Sequence, residues 1–166
     1  MRRVAIAGIA VLLAIPLTVL GASSRAYAAG CVGSSCTGLS AETEGCSADA
    51  ITAETAYIYD VNDSSQEDGY VQLRYSATCR ATWAKVFDFY KPSCTKYACG
   101  VDGEAVVERT STDSPSESCS EANGTLTGNA YVCTTNMIND ENVTSVAFGS
   151  APGSDASLNS ATTSPY

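Results

Sequence analysis

Val71-Gln-Leu-Arg-Tyr-Ser-Ala-Thr-Cys-Arg-Ala-Thr-Trp-Ala-Lys85 is the stretch from which the fold is read. Val71, Leu73 and Tyr75 alternate with Gln72, Arg74 and Ser76, the period of a strand with one buried face. Ser76-Ala77-Thr78 supplies a turn, Cys79 follows, and a second extended run from Ala81 sets Trp83 and Phe87 on one side. Two strands meeting at a corner that holds a cysteine and the only tryptophan predict a core nucleus.

On either side of this pair the chain keeps reading as short strands and turns. Gly30 to Cys46 is rich in glycine, serine and cysteine and predicts a bridged N-terminal loop. Ile51 to Tyr59 has the β-branched and aromatic content of a strand, and Asp60 to Gly69 reads as an acidic polar loop. Past Pro92, Cys94 to Cys99 predicts a bridged turn and Ala105 to Thr110 a short strand. Ser111 to Asn123 reads as a polar loop, Thr125 to Met137 as a strand, and Val143 to Phe148 as the last apolar run. The chain is therefore expected to be all-β. The expected form is a small disulfide-stapled antiparallel sandwich or partly open barrel, with a disordered C-terminal tail over 149–166. Its predicted core is Trp83, Phe87, Phe89, Leu73, Val71, Tyr75, Ile58, Val107, Val132 and Phe148.

The first 28 residues read as a secretory signal. Arg2 and Arg3 precede the apolar run Val4 to Leu20, and Ala26-Tyr27-Ala28 offers small residues at the cleavage positions. Residues 29–148 are then the single domain. After cleavage six basic residues face 18 acidic ones, a net charge of about −12. Such a field argues against nucleic acid and against anionic membrane surfaces as partners. All eight cysteines (Cys31, Cys36, Cys46, Cys79, Cys94, Cys99, Cys119 and Cys133) follow the cleavage site, so a secreted disulfide framework is expected. Eight cysteines allow 105 pairings, which the sequence leaves open; the set expected here is Cys46–Cys79 in the core, Cys31–Cys36 and Cys94–Cys99 locally, and Cys119–Cys133 as a hairpin staple. Neither x4 spacing is the C-x2-C of zinc sites, and the chain has no histidine, so no metal or cofactor is expected.

Without histidine, Ser-His-Asp and Cys-His nucleophile systems are excluded. Ser93-Cys-Thr-Lys96 matches Ser-x-x-Lys but lacks the partner motifs of that chemistry. Asp88, between Phe87 and Phe89, is expected to face outward or to pair with Arg74 or Lys85. The loop carrying Asp60, Asn62, Asp63, Glu67 and Asp68 offers oxygen ligands, but not at EF-hand positions, and is expected to be solvated. Asn62, Asn123 and Asn142 lie in Asn-x-Ser/Thr triplets that would mark surface loops.

Cys31-x-Gly33-x-x-Cys36-x-Gly38, Cys46, Asp49, Thr52 and the block Leu73-Arg-Tyr-Ser-x-x-Cys79-x-Ala-x-Trp83-Ala-Lys85 together resemble the YjfA-like family of small secreted bacterial proteins of unknown function. That resemblance implies secretion and a disulfide-bonded β domain, and no reaction. The leading expectation is thus a secreted extracellular non-catalytic binding or interaction module for an extracellular protein or glycan. Arg74, Tyr75 and Arg80 are its candidate contact surface. Two competing expectations are a small extracellular hydrolase using paired carboxylates and a structural cell-envelope component.

Overall fold

The computed structural model describes residues 28–89, 103–111, 115–120, 124–153 and 157–166. The expected signal segment, the Cys94–Cys99 turn and the Ser93/Lys96 pair lie outside the described residues, apart from Ala28. Two antiparallel sheets make a sandwich that does not close into a barrel. The larger follows the order β1-β2-β3-β7-β6, with the short β8 (Ile138–Asn139) also on β3. Its strands are β1 (Ile51–Tyr59), β2 (Glu67–Ser76), β3 (Ala81–Phe89), β6 (Thr125–Thr127) and β7 (Ala130–Thr134). The smaller runs β10 (Leu158–Thr162), β9 (Ser145–Pro152), β4 (Glu104–Arg109) and β5 (Ser116–Ser120).

The central hairpin is in place: Val71 pairs with Val86 and Leu73 with Ala84, and all four are fully buried. These inward residues and Ile58 meet Ala105, Val107, Ala147 and Ala151 of the smaller sheet in one apolar cluster. Each fully buried Ile, Leu or Val side chain contributes about 1.5–3 kcal/mol. The smaller sheet faces this layer mainly with alanine and glycine, which lets it approach closely. A Cβ added at Gly149 would sit 2.5 Å from the Cβ of Val71.

Several expectations change. The described residues of 149–166 are not a loose tail: β9 runs to Pro152, β10 pairs with it from Leu158, and Tyr166 exchanges backbone hydrogen bonds with Ser145. Their small residues pack against a neighbouring layer, which composition does not reveal. The polar 111–123 segment contains strand β5 at the sheet edge, where one partner, β4, suffices. The Thr125–Met137 run is two strands turning at Gly128, whose φ is +61°, followed by β8. Of the predicted core, Val71, Leu73, Ile58, Val107 and Trp83 are buried, whereas Phe87, Phe89, Tyr75, Val132 and Phe148 are half-buried. Asp88 shares the inward face of β3 with Ala84 and Val86 and is buried, because Lys85, Phe87 and Phe89 take the outer parity.

The disulfides Cys31–Cys36, Cys46–Cys79 and Cys119–Cys133 pair as expected. The last, however, is not a hairpin staple. Cys119 is on β5 and Cys133 on β7, so it ties the two sheets together.

Candidate functional site

The outer face of the larger sheet, turned away from the sandwich core, carries its side chains in register as rows across the strands. One row is Tyr57, Tyr70, Phe87, Val132 and Thr125, each the direct partner of the next. The row beside it is Thr55, Gln72, Lys85 and Thr134, and the next is Thr52, Arg74 and Trp83. Adjacent strands are about 4.8 Å apart, so each row presents a side chain at that interval.

Aromatic rings dominate the first row and the side chains beside it. Tyr70 stacks on Phe87 with centroids 4.5 Å apart and meets Phe89 edge-on at 5.8 Å. Tyr57 lies 6.1 Å from Tyr70 and 6.4 Å from Tyr59. Five rings therefore form one contiguous platform, and its outer members, Tyr57 and Tyr59, are 53% and 47% exposed. Burial, then the neighbouring Tyr57 and Glu67, raise the Tyr70 hydroxyl above the usual phenol range, which keeps it a neutral donor.

The other end of this face is covered. Trp83 is 3% exposed beneath the N-terminal loop, in a cluster with Cys31, Cys36, Cys46, Cys79, Ala41 and Met137. The four sulfurs lie within 4.8 Å of one another, and Cys31 Sγ is 3.9 Å from Cys46 Sγ. All four are bound in disulfides, so none presents the thiolate that a metal would need. Asp49 fixes this loop to the β2–β3 corner: Ser76 Oγ and the Thr78 amide (2.9 Å) donate to its carboxylate. Burial alone would raise Asp49, but these bonds outweigh it and hold its pKa below the usual carboxylate range.

Between the N-terminal loop and β6 lies a groove of about 650 Å³. Gln72, Arg74, Lys85, Phe87, Val132 and Thr134 line it from the sheet, Ser40, Ala41, Glu42 and Ser47 from one side, and Thr125 and Thr127 from the other. Lys85 Nζ sits 5.0 Å from the Phe87 ring centroid, a cation–π contact. Arg74 donates to Thr52 Oγ1, to the Ala50 carbonyl at 3.3 Å and, weakly, to Gln72 Oε1 at 3.5 Å. Glu42 is the one carboxylate among the described lining residues.

The three residues singled out in the sequence are not brought together. Arg74 lines the groove, whereas Tyr75 points to the opposite face of β2 and packs against Tyr166 at 5.4 Å. Arg80 occupies the corner with φ +50° and pairs with Glu141. The acidic loop also departs from expectation. Asp60 and Asp68 are buried; Asp60 accepts from the Asn62 amide (2.8 Å), and Asp68 accepts from Gln66 Nε2 (3.1 Å) and Asn159 Nδ2 (2.7 Å). Sequence reasoning missed Tyr57, Tyr59 and Tyr70. The available signal was parity: with Ile58 inward, both flanking tyrosines must face outward, as Phe87 and Phe89 do around Asp88.

Among the described residues no helix is long and apolar enough to cross a membrane. A family model described as protein of unknown function (DUF2690) matches residues 34–148, from the first disulfide loop into β9. No curated protein and no solved structure matches the chain.

Proposed function

The chain belongs to this family of unknown function (DUF2690), and we propose that the outer face of its larger sheet is a non-catalytic binding surface for an extended extracellular polymer. The YjfA-like kinship, bacterial origin and secretion implied by the Leu73–Lys85 block belong to the same proposal. The observation that carries it is the five-ring platform, which shares Phe87 with the adjoining groove. Rings packed against one another on a bridged sheet offer an apolar surface already ordered before a ligand arrives. Little conformational entropy is then lost on binding.

The hydrolase alternative needs two carboxylates flanking one bond. Glu42 alone among the described lining residues could serve, so the groove favours binding over cleavage. Immobilised cell-wall glycans and secreted proteins test the reading directly. The chain is expected to be retained by one class, and Tyr57→Ala with Tyr59→Ala is expected to weaken retention at least about tenfold. Both tyrosines are half-exposed, so the variant should melt like the parent. Retention unchanged by the double substitution would remove this face as the binding surface.

A further inference from the structure

Against the acidic field of the whole chain the groove's two cations are a local exception: Glu42 lines the same groove, but among the described residues no salt bridge joins it or any other acid to Arg74 or Lys85. The sequence carries 18 acidic residues against nine basic ones, so a basic side chain meets a carboxylate easily. Arg80 pairs with Glu141, and Arg109 acts on the carboxyl of Asp140. The two cations on the outer face differ. Arg74 bonds only to a hydroxyl, a carbonyl and an amide oxygen. Lys85 sits over the Phe87 ring, and neither has a salt-bridge partner among the described residues. Both are half-buried, where an uncompensated charge is worth more to an incoming anion than on an open surface.

Position adds the rest. Gln72 and Lys85 form the row next to the aromatic one, and Arg74 the row after it. Neighbouring rows are separated by two residues along a strand, roughly 7 Å. A chain of sugar rings lying across β1, β2 and β3 could rest its apolar faces on the exposed ring of Tyr57 and on the outward edges of Tyr70 and Phe87, whose own faces stack on each other. Its ring substituents would then reach Gln72 and Lys85. Resting on the binding-surface reading above, we propose that the ligand is an acidic polysaccharide strand, with its rings on the aromatic row and its carboxylates on Lys85 and Arg74. A polypeptide fits less well: an extended one points successive side chains to opposite faces, so only every second residue would meet the platform.

Titration calorimetry with the full chain tests this, using a short hexuronic acid oligomer, its neutral methyl ester and poly-glutamate as probes. The acid oligomer is expected to bind, with the ester about tenfold weaker. Lys85→Gln is expected to reduce affinity for the acid about tenfold while leaving the ester unchanged, and the acid's affinity should fall with added salt. Tyr57→Ala should weaken both glycans. Equal affinity for acid and ester, or a Lys85→Gln variant that binds the acid as the parent does, overturns the anionic assignment and leaves the platform standing. Binding of poly-glutamate without either glycan overturns the sugar. Glycan binding indifferent to Tyr57→Ala overturns the platform itself. Lys85 is half-exposed and its ammonium carries no described hydrogen bond, so its variant is expected to fold; a melting curve checks this.

Discussion

Two aspartates show how one residue type acquires opposite roles. Asp49 has a lowered folded pKa because two hydrogen bonds favour its ionised form over the opposing effect of burial. Its contribution to stability is therefore complete above the ordinary carboxyl pKa and is lost as pH falls through the lower folded value. Asp49→Asn is expected to flatten the acid-side decline and to cost about 1 kcal/mol at neutral pH, since the site is exposed. Asp140 runs the other way. Burial raises it, opposed by a hydrogen bond from Ser145 and by Arg109. Its stabilising share is present below the ordinary carboxyl pKa and fades as pH rises through the raised value. Asp140→Asn should thus lose less stability than the parent between pH 4 and neutrality. Urea midpoints check both, taken below the ordinary carboxyl range for Asp49 and from there to neutrality for Asp140; parallel curves for parent and variant within a residue's own window would exclude its assigned role. Little of this could be read from the sequence. Asp49 stood out only within the resemblance block, and nothing local marks Asp140 as buried or Arg80 as left-handed at a strand corner.

At the scale of elements, alternation was a dependable guide where one face packs and the other does not. Val71, Leu73, Ala84 and Val86 follow it, and β1 has the bounds that its β-branched content suggested. It failed for β5, a serine-rich edge strand with no apolar period, and for β9–β10, whose alanines, serines and glycines resemble a polar tail. In the last case small size is itself the structural requirement. Gly149 lies against Val71 because the sheets approach there more closely than two side chains allow. Gly149→Ala is accordingly expected to destabilise the chain by about 1–3 kcal/mol through overpacking. Val71→Ala in the same chain should return part of that loss, giving a favourable coupling in a double-mutant cycle. Strictly additive effects would mean that the contact does not set the sheet separation.

For the whole molecule, the bridges divide the labour between stability and shape. Cysteine spacing left 105 pairings open; three of the four expected pairs form among the described residues, but what they join could not be read, since that depends on which strands share a sheet. The core between the sheets contains no residue of the N-terminal loop, which packs with Trp83 in a cluster of its own. That loop also supplies one wall of the groove, through Ser40, Ala41, Glu42 and Ser47. Removing Cys46–Cys79 by paired alanine substitution should therefore release the wall without dissolving the sandwich. The expected result is a red-shifted Trp83 emission, weaker ligand retention and retained β-sheet circular dichroism. The bridge closes a separation of 33 residues, so the loop region it orders should lose about 3–4 kcal/mol. Removing Cys119–Cys133 should do the reverse, because its half-cystines lie on strands of different sheets. Thermal stability should fall while Trp83 emission in the folded protein stays put. If both variants shift the tryptophan equally, the loop and the sandwich form one cooperative unit, and the groove wall cannot move independently of the fold.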